Sequence, residues 1–343
     1  MTELSKCERV RRALWREPVD RLPTQINYTA AMGDKLARHY RLSLVELPAR
    51  LDNHLLRLDI SYRRRTSADG LVSFDLWGAG WSTQTEGYWH SVAPLAESFD
   101  VKGYAWPDPH GPGLLGDAAR EIAANAGSQF VVPNFGLCLF ERAWSLRGFD
   151  ALLCDTLDKP ARVEELLDRI TDIQIVLAKR FIALGVDGGY FGDDYGAQCG
   201  MLFSPKQWRQ MLKPRLARMF ALFRNAGLPV ILHSDGDIRA ILPDLLDIGL
   251  TALNPVQPEV LDHRWLAREF GRQLAFYGGI STQSARPRGS TGEVRKATLT
   301  CAHELAPRST GLLLGPSHRL QSDIPVENVD TMREAFQELS HGG

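Results

Sequence analysis

The residues of this chain best equipped for chemistry gather at the ends of short apolar runs. His233-Ser234-Asp235-Gly236-Asp237 follows Val230-Ile231-Leu232, and Gly192-Asp193-Asp194-Tyr195-Gly196 closes an earlier run. Asn27-Tyr28 ends the first run, and Asn254-Pro255-Val256-Gln257 and Gly315-Pro316-Ser317-His318 end later ones. Asp235 stands two residues past His233, so both can share one side of a turn. An imidazole and a carboxylate so arranged could ligate a divalent metal with a third ligand such as His318. They could equally form a hydrogen-bonded pair in which the carboxylate sets the tautomer of an acid–base histidine. The third alternative is structural, with Asp235 capping a helix that begins near Asp237 and His233 bonded to a backbone carbonyl. Asp193 and Asp194 are neighbours, and neighbours on an extended segment point to opposite sides. Asp194 is assigned to the pocket, where nearby carboxylates raise one another's pKa and suit proton handling or cation stabilisation. Asn27, Tyr28, Asp193, Tyr195, Asn254 and Gln257 are the expected substrate contacts, with Glu141 beyond the third run.

Bringing these segments together requires a scaffold that collects strand ends. Strands are expected at residues 23–28, 70–76, 129–134, 187–192, 229–233, 251–255, 274–279 and 311–315. Between them fall helical patterns at 159–184, 206–225, 237–248 and 326–339. The second of these opens on Ser204-Pro205, a cap followed by a first-turn proline, and stops at Gly227. Strands alternating with helices predict parallel pairing, and eight strands suggest closure into one α/β (β/α)8 TIM barrel over residues 1–343. A polar N-terminal helical extension and an elaborated loop at 86–119 complete the expected chain. A doubly wound sheet is the alternative, but no G-x-G-x-x-G or P-loop follows any strand. In a barrel, chemistry belongs at the C-terminal strand ends. Trp77, Trp81, Trp89 and Trp106 lie close together in sequence and form either a pocket wall or core.

Composition narrows the partners. The chain has 343 residues, 40 Lys+Arg against 41 Asp+Glu and a formal charge of −1, so electrostatics give no reason to expect nucleic acid or an anionic membrane surface. No apolar run reaches the roughly 18 residues of a spanning helix, and the N-terminal residues are too polar for a signal peptide. The expectation is a cytoplasmic protein that takes a small-molecule substrate. Its five cysteines are odd in number and lack C-x-x-C spacing, which fits reduced thiols.

The same residues carry a family pattern. Arg11-Arg12-Ala13-Leu14 through Pro18-Val19-Asp20-Arg21-Leu22-Pro23 resembles the opening of the uroporphyrinogen decarboxylase superfamily. Gly192-Asp193-Asp194-Tyr195-Gly196, followed by Leu202-Phe203-Ser204-Pro205 and Lys213-Pro214, resembles its central motif. Pro316-Ser317-His318 ahead of Pro325-Val326-Glu327-Asn328 resembles its C-terminal signature. The resemblance implies a (β/α)8 barrel and two branches of activity, cofactor-free porphyrinogen decarboxylation and zinc-dependent methyl transfer involving a corrinoid protein and a thiol. Decarboxylases of the superfamily carry an N-terminal motif resembling F-M-R-Q-A-G-R-Y, whereas residues 23–32 here contain no arginine. A substrate with several carboxylates needs guanidinium partners, so the chain is expected closer to the methyltransferase branch. That branch holds zinc with H-x-C and a distant Cys. His233-Ser234-Asp235 aligns with the first part, with Asp235 at the thiolate position and His318 at that of the distant Cys.

The implied metal set is therefore His233, Asp235 and His318, with Glu141 as a fourth ligand, and Asp194 and His233 are the implied catalytic residues. Such a site is harder than a thiolate one and a stronger Lewis acid, suited to a methoxy or other methyl-donor oxygen. The leading expectation is zinc-assisted transfer of methyl from a small donor to a corrinoid on a partner protein or another acceptor. The alternatives are a cofactor-free decarboxylase in which Asp194 stabilises a protonated pyrrole, and a barrel that binds a corrinoid or porphyrin without turnover.

Overall fold

Short apolar strands and long amphipathic helices alternate along the chain, and their packing curls one parallel sheet around a closed interior. The computed structural model describes residues 3–62, 64–87, 89–283 and 289–341. The chain begins with helices α1 (Lys6–Trp15), α2 (Ala30–Tyr40) and α3 (Leu47–Arg50) before strand β1 (Leu55–Leu58). An antiparallel extension follows, made of β2 (Arg65–Thr66), β3 (Val72–Phe74), β4 (Gly80–Ser82) and β5 (His90–Val92). Helix α4 (Gly116–Asn125) leads to β6 (Phe130–Phe135), then to α5 (Phe140–Arg147), α6 (Phe149–Asp158) and α7 (Pro160–Ala183). Strand β7 (Gly189–Gly192), the hairpin β8 (Gly196–Ala197) and β9 (Gly200–Met201), and helices α8 (Pro205–Met211) and α9 (Lys213–Asn225) come next. The chain closes with β10 (Val230–His233), α10 (Leu242–Asp247), β11 (Ala252–Asn254), α11 (His263–Glu269), β12 (Ala275–Ile280), α12 (Thr291–Leu305), β13 (Leu312–Pro316) and α13 (Val326–His341).

Seven strands form the sheet in the order β1-β6-β7-β10-β11-β12-β13, every neighbour parallel. Residues 23–28 close it. Thr24 bridges Leu314, Tyr28 bridges Leu320, and the His54 amide donates to the Thr24 carbonyl on the other edge. Side chains supply the rest of this seam. The Asn53 amide both accepts from Ile26 N–H (2.8 Å) and donates to its carbonyl (3.1 Å), and Gln25 Oε1 accepts from the amides of His54 and Leu55. A Cβ on Gly315 would run into the Gln25 carbonyl oxygen, so only glycine lets the two chains approach this closely. Residues 70–76, expected as the second barrel strand, instead belong to the antiparallel extension, and Leu55–Leu58 takes the barrel position.

The barrel interior holds Leu55, Phe130, Val132, Tyr190, Ile231, Ala252, Ala275, Tyr277 and Leu313, with Cys7, Val10 and Leu14 of α1 stopping its lower end. The larger apolar layer lies between the sheet and the outer helices. Two expected helices are divided by proline, which cannot donate to the preceding turn. The 206–225 pattern breaks between α8 and α9 at Pro214, and the 237–248 pattern becomes a 3-10 turn (Arg239–Ile241) followed by α10 with Pro243 near its start. The tryptophans belong mainly to the extension. Trp77 meets Trp106 edge-on at 6.3 Å beneath the Arg142 guanidinium, while Trp89 is exposed. Glu86, between β4 and β5, accepts from Thr29 Oγ1 and from the Ser322 amide and hydroxyl, tying the extension to the chain after β13. Among the described residues no helix is long and apolar enough to cross a membrane.

Below the sheet, Arg9 of α1 is buried and joins three segments. Its guanidinium pairs with Asp20 at 2.7 Å and donates to His54 Nε2 at 3.1 Å. Burial opposes the Asp20 charge, but the Arg9 hydrogen bonds and backbone amides outweigh it and hold the carboxyl far below the usual range. A guanidinium only donates, so His54 Nε2 must be unprotonated and its proton sits on Nδ1, 2.8 Å from the Asp52 carbonyl. Burial, despite opposition from Asp52, pushes the His54 pKa down to about 4 from 6.5. The unfolded chain therefore binds this proton below pH 6.5 while the folded chain resists it until about pH 4. Stability should fall as pH drops through that window, with His54 contributing on the order of 3 kcal/mol. Urea midpoints measured from pH 7 to 4.5 check this, and His54→Gln should flatten the slope between pH 6.5 and 5.

Candidate metal centre

Parallel register delivers the three site segments to one rim. His233, the last residue of β10, pairs with Gly192 of β7 on one side and Asn254 of β11 on the other. The next peptides are stitched as well: Asp193 N–H donates to the His233 carbonyl, Ser234 N–H to that of Asn254, and Tyr195 N–H to the Ser234 hydroxyl. The turn carrying Asp235 lies against the β8 hairpin. A Cβ on Gly236, whose φ is +80°, would collide with the Gly196 backbone, so two facing glycines allow the turn to settle there. His318 arrives from the opposite edge on the segment after β13, fixed by the Ser317 amide bonding to the Ile280 carbonyl (2.7 Å) and by the bridge at Leu320.

One ligand atom from each of His233, Asp235 and His318 falls within 4.8 Å of the others. His233 Nε2 is 3.9 Å from Asp235 Oδ1, and the two imidazole centroids are 5.9 Å apart. Ligands of one tetrahedral ion, each about 2.0–2.2 Å from it, stand about 3.4 Å apart. Small side-chain rotations would therefore bring this set into coordination range. Two imidazoles and one carboxylate form a donor set of the type used by catalytic zinc sites, which keep a fourth position for water or substrate.

Asn254 fixes which nitrogen His233 presents. Its Nδ2 donates to the Tyr277 carbonyl at 2.9 Å, which orients the amide, and its Oδ1 accepts from the Tyr190 hydroxyl at 3.0 Å. The same Oδ1 is 2.6 Å from His233 Nδ1. An oxygen here can only accept, so Nδ1 carries the proton and the Nε2 lone pair faces Asp235. Asn254, expected to touch substrate, is buried and has both ends of its amide engaged within the protein.

The two adjacent aspartates divide sharply. Asp193 is fully buried, and its carboxylate accepts from the Leu139, Phe140 and Glu141 amides at 3.3, 2.9 and 2.7 Å, holding the start of α5. Its expected contact with substrate is thus replaced by a structural one. Asp194 remains at the mouth, with Oδ1 accepting from Asp235 N–H at 2.8 Å and standing 3.9 Å from His233 Nε2. Burial raises the Asp194 carboxyl, with Asp235 adding and His233 opposing. Glu141 is raised further, by burial and then by the charges of Asp194, Asp193 and Asp235. It lies beside the site but outside the set of atoms that meet within 4.8 Å. This crowding of carboxylates is electrostatic strain that a cation would relieve.

The remaining expected contacts divide between site and core. Gln257 lines a cavity of about 220 Å³ with Asp235, Ser317, His318, Arg319 and Gln321. Asn27 donates to the Tyr277 hydroxyl inside the barrel at 2.6 Å. The Tyr28 ring packs over Gly33 of α2, and the Tyr195 ring is buried against Phe203 and Trp208, so neither faces the cavity. Arg57, whose guanidinium stands 4.9 Å from the centroid of the Tyr190 ring, is not among the residues expected from sequence because its strand is not. Its position between Leu56 and Leu58, a cation inside an apolar run, was the available signal.

A likeness extends over the whole arrangement. The family model described as uroporphyrinogen decarboxylase (URO-D) matches residues 5–339. A uroporphyrinogen decarboxylase from Methylococcus capsulatus is 25% identical over 258 residues, 72% of this chain and 71% of that protein. The methylcobamide:CoM methyltransferase MtaA of Methanosarcina barkeri is 26% identical over 184 residues, 53% of this chain and about half (51%) of the relative. A solved methyltransferase from Methanosarcina mazei superposes with a TM-score of 0.75 at 20% identity, covering 98% of this chain and 99% of that one, which shows the shared fold. By the extent of the family match, the chain belongs to the uroporphyrinogen decarboxylase (URO-D) family.

Proposed function

We propose that this protein is a metal-assisted methyltransferase, which moves a methyl group from a small oxygen-bound donor to a corrinoid carried by a partner protein. His233, Asp235 and His318 are its zinc ligands. The observation that carries this reading is the approach of those three ligand atoms to within 4.8 Å, although they come from two distant segments of chain. The cavity beside them, about 220 Å³, is small against the ~300–1,000 Å³ typical of ligand pockets. A small donor suits it better than a tetrapyrrole.

Zinc bound by these side chains would supply Lewis acidity toward the donor oxygen. The chain's own residues do the rest. Asn254 keeps the His233 Nε2 lone pair turned to the mouth. Asp194, with its carboxyl raised by burial, is suited to hold a proton and release it to the oxygen that loses its methyl. In that step an electron pair of the acceptor forms the new bond to the methyl carbon. The carbon–oxygen bond breaks with its pair on oxygen, which the proton neutralises.

Protein purified without chelator should contain about one zinc per chain by elemental analysis. His233→Ala and His318→Ala should each remove most of it while the circular dichroism spectrum is unchanged. Metal-free native protein, or variants that retain full metal, would refute the zinc site. Incubation with uroporphyrinogen at high enzyme concentration should release no carbon dioxide; release would favour the decarboxylase reading.

Asn254→Ala should weaken zinc affinity by roughly 10–100-fold, the usual cost of losing a partner behind a ligating histidine. Competition with a chromogenic chelator measures it. Asn254→Asp, which keeps the acceptor but loses the donor to the Tyr277 carbonyl, should recover only part of the loss.

A further inference from the structure

The loop after β11 carries two side-chain amides with opposite fates. Asn254 has both ends of its amide bonded inside the protein. Gln257, three residues on, is 6% exposed, and its buried Nε2 has no hydrogen-bond partner among the described residues. It lines the cavity of about 220 Å³ beside Asp235 and His318, so a ligand in that hollow is the available source of an acceptor. Backbone contacts hold the loop in place. Gly279 N–H donates to the Pro255 carbonyl (2.9 Å), His263 Nε2 donates to that of Val256 (2.8 Å), and the Gln257 carbonyl accepts from the Val260 and Leu261 amides. Val256, β-branched and fully buried, has a φ of +48°, a region such residues rarely enter. Strain of this kind persists only where the surroundings impose it, and it gathers at ligand-binding sites. Here it falls on the residue immediately before Gln257.

A buried N–H left without an acceptor is costly, and a ligand that supplies one recovers that cost on binding. The cavity also restricts what the acceptor can be. Asp235 and Asp323 line it against one cation, Arg319, among the described residues, so a further negative charge would meet like charge. Ser317 and Thr282, whose hydroxyls stand 3.2 Å apart, and Gln321 add uncharged polar groups to the wall. A neutral ether or carbonyl oxygen meets both conditions. We propose that the methyl donor carries a second, uncharged acceptor oxygen besides the one that bears its methyl, and that Gln257 Nε2 donates a hydrogen bond to it. This assignment of substrate class rests on the methyl-transfer reading, and it makes Gln257 a specificity-determining residue.

Binding measured without a methyl acceptor tests it separately from turnover. Ligand-observed NMR titration of the full-length protein, with and without added zinc, would compare 1,2-dimethoxyethane with 1-methoxybutane, and 1-methoxypropan-2-one with 1-methoxy-2-methylpropane. The members of each pair are close in shape and differ in one acceptor oxygen. At least one oxygen-bearing probe should bind at least about tenfold more tightly than its counterpart, a preference of about 1.4 kcal/mol. The preference should persist without zinc, which separates it from chelation. Gln257→Leu, and Gln257→Glu, which keeps the shape but exchanges the donor for an acceptor, should each bring the ratio toward one while the counterpart's own affinity changes little. Equal affinity within both pairs in the native protein, no saturable binding of either oxygen-bearing probe, or a ratio unchanged in both variants would overturn the proposal. So would variants that weaken both members of a pair alike, as loss of a purely structural residue does. Oxygen-selective binding without methyl transfer would retain the Gln257 contact and reject the transfer reading instead.

Discussion

The hydrogen bond from His233 Nδ1 to Asn254 Oδ1 is the contact on which the rest of the mouth depends. It works because the asparagine cannot flip: its Nδ2 is committed to a backbone carbonyl and its Oδ1 also receives the Tyr190 hydroxyl. The anchor is thus the barrel interior itself, transmitted through two tyrosines that pack with the aliphatic core. A histidine on a free loop would choose its own tautomer. Here the adjacent parallel strand chooses it, and the chosen nitrogen faces the carboxylates.

Charge is managed by the same principle of assigning every group a defined partner. Asp193 gives its carboxylate to three amides at the head of α5, where the helix dipole also favours a negative charge. Asp194 receives only one amide and keeps the remainder of its bonding capacity for the mouth. Four carboxylates and two imidazoles near one rim would be costly in a protein that never used them. Backbone donors hold the deepest one, Asp193, while Glu141 and Asp194 meet burial by a raised carboxyl pKa.

Much of this was legible in the sequence, for reasons that are physical. Apolar runs ending in His or Asp announce barrel strands whose polar ends share a rim, and proximity in sequence already joins His233 to Asp235. The meeting of this pair with His318 depends on closure of the sheet, which the motif order in the chain implied. What failed was local. Residues 70–76 have good strand composition but pair antiparallel outside the barrel, while the true strand was hidden by the charge of Arg57 in its middle. Tyr195 and Tyr28 sit at strand ends yet turn outward into packing, because the side on which an irregular residue projects is set by contacts no periodicity records. The closing seam was also invisible, since Asn53 and Gln25 replace with side chains what a regular strand would do with backbone.

Glu86 has a further implication. Its carboxylate binds Thr29 at the head of α2 and Ser322 just beyond His318, so the tip of the antiparallel extension is fastened to both ends of the chain. The insertion is therefore a clasp across the seam where the first and last staves meet. Its bonds add to the two isolated bridges there, so the joint between the beginning and the end of the barrel is held by a side chain from outside the barrel as well as by backbone.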